Sequence, residues 1–145
     1  MRIKNEHARS IARSSSEVFE ALERVGTEGD TIWPAPSIPF RRTPGPLRVG
    51  KTMERHGIIR AVLHELETNR RMIWRADLPF LRGTHGFEIS ETAAGCDVRH
   101  VLDVNLAWWF APVWAMKVGR IHDWIVERLL DRLEEIAAVP QSAAG

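Results

Sequence analysis

This chain of 145 residues has one cysteine, no tyrosine and almost no charge imbalance, 20 basic against 19 acidic residues for a net +1. Each shortage excludes something. A lone Cys96 rules out an intrachain disulfide and a thiolate metal centre. It falls on the apolar phase of its segment, where it reads as a small buried side chain. The basic residues are scattered rather than gathered into a stripe, which sets nucleic acid aside as a partner. Nowhere do 18 uncharged apolar residues run together, so stable membrane insertion is not expected. The start, MRIKNEHARSIARSS, lacks the apolar core of a signal peptide, and a cytoplasmic location is the expectation. Gly83, Gly86 and Gly95 are too scattered to cradle a phosphate, and no HExxH or CxxC spacing occurs. No cofactor and no metal are therefore expected.

What the chain does have is tryptophan, six of them, in a length that suits one domain over residues 1–139 with a disordered tail at 140–145. Ile3 to Ala12 reads as a strand. Ser14 to Ser16, followed by Glu17, starts a short helix carrying Val18, Phe19, Leu22 and Val25 at helical spacing, with a stop near Gly26. Five prolines between Thr31 and Pro46 exclude a regular helix or a central strand there. That stretch is either a lid carrying Trp33 and Phe40 or a connection whose aromatics plug the core. Strands are expected near 49–55, 58–67, 71–78, 82–91 and 96–106, joined by tight turns into an antiparallel meander.

The last hairpin alternates most strictly. His85, Phe87 and Ile89 share one face, as do Cys96, Val98, His100, Leu102, Val104 and Leu106, so both histidines turn to the buried side and lie diagonally across neighbouring strands. By the same rule Met72, Trp74, Ala76 and Leu78 face inward. The 58–67 segment is apolar on both phases, and Arg60, Val62, His64 and Leu66 are taken as its inward set. From Pro112 to Ala138 the apolar residues Trp114, Val118, Ile121, Ile125, Leu129, Leu133 and Ile136 step by three or four, the pattern of a helix about 40 Å long with one stripe to bury.

Strand, short helix, proline-rich connection, meander and long final helix form the order of the helix-grip fold. The segments IARSSSEVFEALERV, Trp33, Gly50, LETNRRMIWRAD and HGFEISETAAGCDVRHVLDV make the chain resemble the START/Bet v 1-like (SRPBCC) superfamily, in its polyketide cyclase/dehydrase and lipid-transport branch. The resemblance implies an α+β protein whose curved antiparallel sheet wraps a long C-terminal helix around a cavity for a lipid, sterol, polyketide or similar hydrophobic molecule. Cyclases of the superfamily place tyrosine and arginine in that cavity, and this chain has no tyrosine.

The expected function is binding of a hydrophobic small molecule, with Trp33, Arg60, His64, Trp74, Phe87, Leu102, Trp109, Trp114 and Val118 around it. His85 and His100 are either wall residues with one ordinary hydrogen bond, contacts to a ligand carbonyl or hydroxyl, or general acid/base groups of a cyclase/dehydratase in which Arg60 or Arg120 polarises a carbonyl. Trp108, Trp109, Phe110 and Trp114 cannot all point one way, so some border the pocket mouth, the core, or a surface for a membrane, a homodimer or another assembly partner.

Overall fold

The computed structural model describes residues 1–137; the expected tail at 140–145 lies outside them. Seven strands form one antiparallel sheet in the order β1-β7-β6-β5-β4-β3-β2. They are β1 (Arg2–Ile11), β2 (Phe40–Arg42), β3 (Met53–His56), β4 (Ile59–Glu67), β5 (Arg71–Leu78), β6 (Leu81–Thr92) and β7 (Gly95–Leu106). Helix α1 (Ser15–Glu23) follows β1. The C-terminal helical stretch runs through α2 (Ala111–Val113), a π turn (Trp114–Val118) and α3 (Gly119–Ala137). This α+β arrangement, an open curved sheet against one long C-terminal helix, is the expected fold class.

Local chemistry sets the element ends. The Ser14 side chain accepts from the Glu17 backbone amide while Glu17 reaches back to the Ser14 amide, a capping box that fixes where α1 starts. The buried face of α1, Val18, Phe19 and Leu22, joins a core with Ile11, Leu63, Val98, Val104, Leu130 and Leu133. On the outer side Arg9 of β1 meets Glu127, Asp131 and Glu134 of α3 at 2.7, 2.8 and 3.1 Å. The long helix is thereby tied to the edge strand.

Sheet curvature depends on close backbone approach in β6. A Cβ on Gly86 would stand 2.1 Å from the Met72 carbonyl oxygen, and one on Gly83 2.2 Å from that of Asp103. Only glycine fits, and the hairpin can wrap toward the helix there.

β4 corrects one expectation. Its pairing slips between Leu63 and Glu65, a bulge at His64. Before the bulge Ala61 and Leu63 are the buried residues, leaving Arg60, Val62 and His64 on the other phase; after it Leu66 packs on the core. An extra residue in one strand reverses the phase, so no single alternation could have described this segment. The proline-rich stretch is a fixed wall. Asp30 accepts from the Ile32 and Trp33 amides, the Trp33 indole donates to the Ala35 and Ile38 carbonyls, and Arg132 donates to the Trp33 carbonyl.

Gly86→Ala is expected to cost about 1–3 kcal/mol, as overpacking against a neighbouring backbone does. A urea unfolding midpoint equal to the parent's would show that the strands can part without penalty.

Candidate functional site

Between the concave sheet face, the end of α1, the Trp33 wall and the C-terminal helix lies a cavity of ≈ 410 Å³. Trp33, Trp74, Phe87, Leu102, Trp114 and Val118 line it together with His85 and His100. Gly57 and Ile58 on one side, and Val113 and Lys117 on the other, line it while exposed to solvent. These four mark the mouth. The π turn admits an extra residue, which sets Trp114 into the cavity against His122, ring centroids 5.9 Å apart.

Three expected members stand elsewhere. Arg60 and His64 are displaced by the β4 phase, and His64 is instead bound to Arg75 at 3.0 Å. Trp109 is half exposed and rests on Phe80 and Phe110, while Phe110 takes the buried place. Arg120 is exposed as well, so neither Arg60 nor Arg120 reaches a cavity carbonyl.

The polar end of the cavity is built around a residue not foreseen from the sequence. Glu54 of β3 has a fully buried side chain. His56 Nδ1 lies 3.2 Å from Glu54 Oε2, and His85 Nε2 lies 2.6 Å from Oε1 as an ion-pair contact rather than an aligned hydrogen bond. Burial alone would raise the Glu54 pKa, but the two imidazoles more than offset it and hold the carboxyl at about 2. Each ring turns one nitrogen to the carboxylate. The other, His85 Nδ1 or His56 Nε2, has no hydrogen-bond partner among the described residues.

The rings continue in file. His56, His85, His100, His122 and His7 follow one another with centroid separations of 5.9, 6.1, 5.2 and 6.3 Å, so five of the six histidines form one row from the buried carboxylate to the outer face of α3. Pairing of His85 with Leu102 and of Phe87 with His100 makes His85 and His100 diagonal neighbours. His7 closes the row, bridging Glu127 at 2.6 Å and Asp123 at 3.1 Å. His7, His122 and Asp123 bring possible metal-ligating atoms within 4.8 Å of one another. Asp123 Oδ1 is already engaged by both rings and by Asn5, so hydrogen bonding accounts for that cluster.

Two signals for the missed residues were present. Thr52, Glu54 and His56 alternate on one phase of a short strand, and His122 stands three residues before Ile125 on the apolar stripe. Neither signal says that these residues converge on one point.

Burial, reinforced by neighbouring histidines, pushes His100 well below its ordinary range; burial likewise takes His122 from 6.5 to about 4 despite the opposing bond to Asp123. The unfolded chain therefore takes up these protons first. Stability present above pH 6.5 should be lost as pH falls toward 4, by about 3 kcal/mol for His122 alone. His122→Phe should flatten that acid limb in urea unfolding measured at successive pH values, and an unchanged slope would contradict the assignment.

The sequence matches no family model and no curated protein. Among solved structures it is similar to KanY, at 12% identity and TM-score 0.69 over 96% of this chain and 99% of that one. It is also similar to Ara h 8.0201, at 10% and 0.67 over 94% and 98%. A third similar structure is protein MLL2253 of Mesorhizobium loti, at 14% and 0.66 over 92% and 96%. Identities this low carry the fold alone, and that fold is a helix-grip arrangement.

Proposed function

We propose that this protein binds a hydrophobic small molecule, polyketide-, lipid- or sterol-like, between the sheet and the C-terminal helix, with an oxygen-bearing end of the ligand at His85 and His56. The observation that carries this reading is an apolar cavity of ≈ 410 Å³ that ends in one buried carboxylate and two imidazoles. Its volume falls in the range of small-molecule sites, about 300–1,000 Å³. Aromatic walls supply non-directional affinity, and the free imidazole nitrogens supply direction. The Bet v 1-like fold shared with Ara h 8.0201, in general a hydrophobic-ligand-binding fold, supports the same reading.

The Glu54 contacts favour a second reading, acid/base catalysis of the cyclase/dehydratase type. A carboxylate at Nε2 of His85 orients the ring and leaves Nδ1 as the base; His56, on the same carboxylate, serves as the acid. A proton moved from one imidazole to the other leaves the net charge of the trio unchanged, which matters in an apolar cavity where new charge is costly.

Native mass spectrometry of freshly purified protein should show a copurified hydrophobic molecule, and anilinonaphthalene sulfonate should fluoresce in the cavity. Val118→Trp, which fills the wall near the mouth, should weaken probe binding about tenfold. Absence of both adduct and probe binding would end the binding reading. Glu54→Gln and His85→Asn separate the two functions: a binder keeps most of its affinity, whereas an enzyme loses turnover by about 10² or more.

A further inference from the structure

The mouth of the cavity carries large apolar side chains that the fold leaves uncovered. Trp108 is 84% exposed, Met116 70%, Trp109 51% and Val113 42%, all within nine residues. Trp109, Val113, Met116 and Arg120 recur at steps of three or four, and Trp124, 52% exposed, extends the same side along α3. Trp114 points the opposite way, into the cavity. The segment thus has an inner face that lines the pocket and an outer apolar face that meets water.

The charged residues carried on this segment have one sign. Between Asp103 and Asp123 the chain has no acidic residue, while Lys117 and Arg120 are exposed and make no ion pair with a described residue. Across the mouth the β3–β4 turn repeats the arrangement. Ile58 is 56% exposed at the tip, and Arg55 and Arg60, directly paired on the two strands, are exposed without an ion partner among the described residues. For a chain of net charge +1, Lys117 and Arg120 on one rim and Arg55 and Arg60 on the other, none ion-paired with a described residue, are a local concentration of cations.

We propose that this rim docks on an anionic lipid surface. Tryptophan at a helix end suits the level of the headgroups, Met116 and Val113 bury their area at the acyl boundary, and Lys117, Arg120, Arg55 and Arg60 meet the lipid phosphates. The helix lies in the interface; no helix among the described residues is long and apolar enough to cross it. Resting on the cavity reading, this docking gives a hydrophobic ligand a route between bilayer and cavity that avoids bulk water, because the mouth residues Ile58 and Val113 belong to both surfaces.

The test is cosedimentation with vesicles of phosphatidylcholine, with and without phosphatidylserine, beside a titration of anilinonaphthalene sulfonate in solution. The protein should pellet with the mixed vesicles, less with phosphatidylcholine alone, and less at high salt. Trp108→Ser with Met116→Ser should lower partition about tenfold on both vesicles, and Arg60→Glu with Arg120→Glu, neither of which lines the cavity, should remove the preference for phosphatidylserine. Both double variants change exposed residues and should keep probe binding. A protein that pellets but takes up no probe keeps the docking surface and loses the cavity reading. The proposal is overturned if the parent stays in the supernatant, if the variants pellet equally, or if the parent is a dimer that Trp108→Ser with Met116→Ser converts to monomer, which would make the patch a contact between copies.

Discussion

A single buried negative charge sets the conditions for the site. Glu54 sits on a short strand with no solvent around its side chain, and an isolated carboxylate there would protonate rather than remain charged. Two imidazoles, one from its own strand and one from β6, keep it ionised. The requirement reaches beyond the pair, because β3 and β6 are separated by β4 and β5 and meet only where the sheet is strongly curved. The close strand approaches at Gly83 and Gly86 are what allow that curvature, so the glycines and the charged trio belong to one construction.

Curvature also explains why there is a cavity. A flat sheet under α3 would fill its contact with side chains along the whole helix. Here the second half of α3, with Leu129, Leu130 and Leu133, is packed into the sheet, while the first part stands over open space walled by Trp74, Phe87 and Trp114. The π turn precedes that change and belongs to the stretch that faces both ligand and solvent.

The histidine file shows how an apolar interior tolerates polar rings. His100 and His122 are held neutral by burial, so they add hydrogen-bonding capacity without adding charge. Charge is confined to the ends of the row, Glu54 inside and Asp123 with Glu127 outside. A ligand oxygen entering the cavity meets donors and acceptors rather than a field of one sign.

The linear chain determined the element order, the two-sided character of the last hairpin, the inward turn of His85 and His100 and the single apolar stripe of the final helix. Periods of two and of about 3.6 residues are local consequences of backbone geometry, and they survive in the order of residues. Tertiary structure decided the rest. The bulge at His64 reversed the facing of β4 and removed Arg60 and His64 from the cavity, an event set by pairing with β5 rather than by β4's own residues. The exchange of Trp109 for Phe110 depended on how the turn before α2 meets Phe80. Glu54 became the centre of the site only because folding brings β3 and β6 to one point, and convergence between residues 31 positions apart leaves no periodic trace in a sequence.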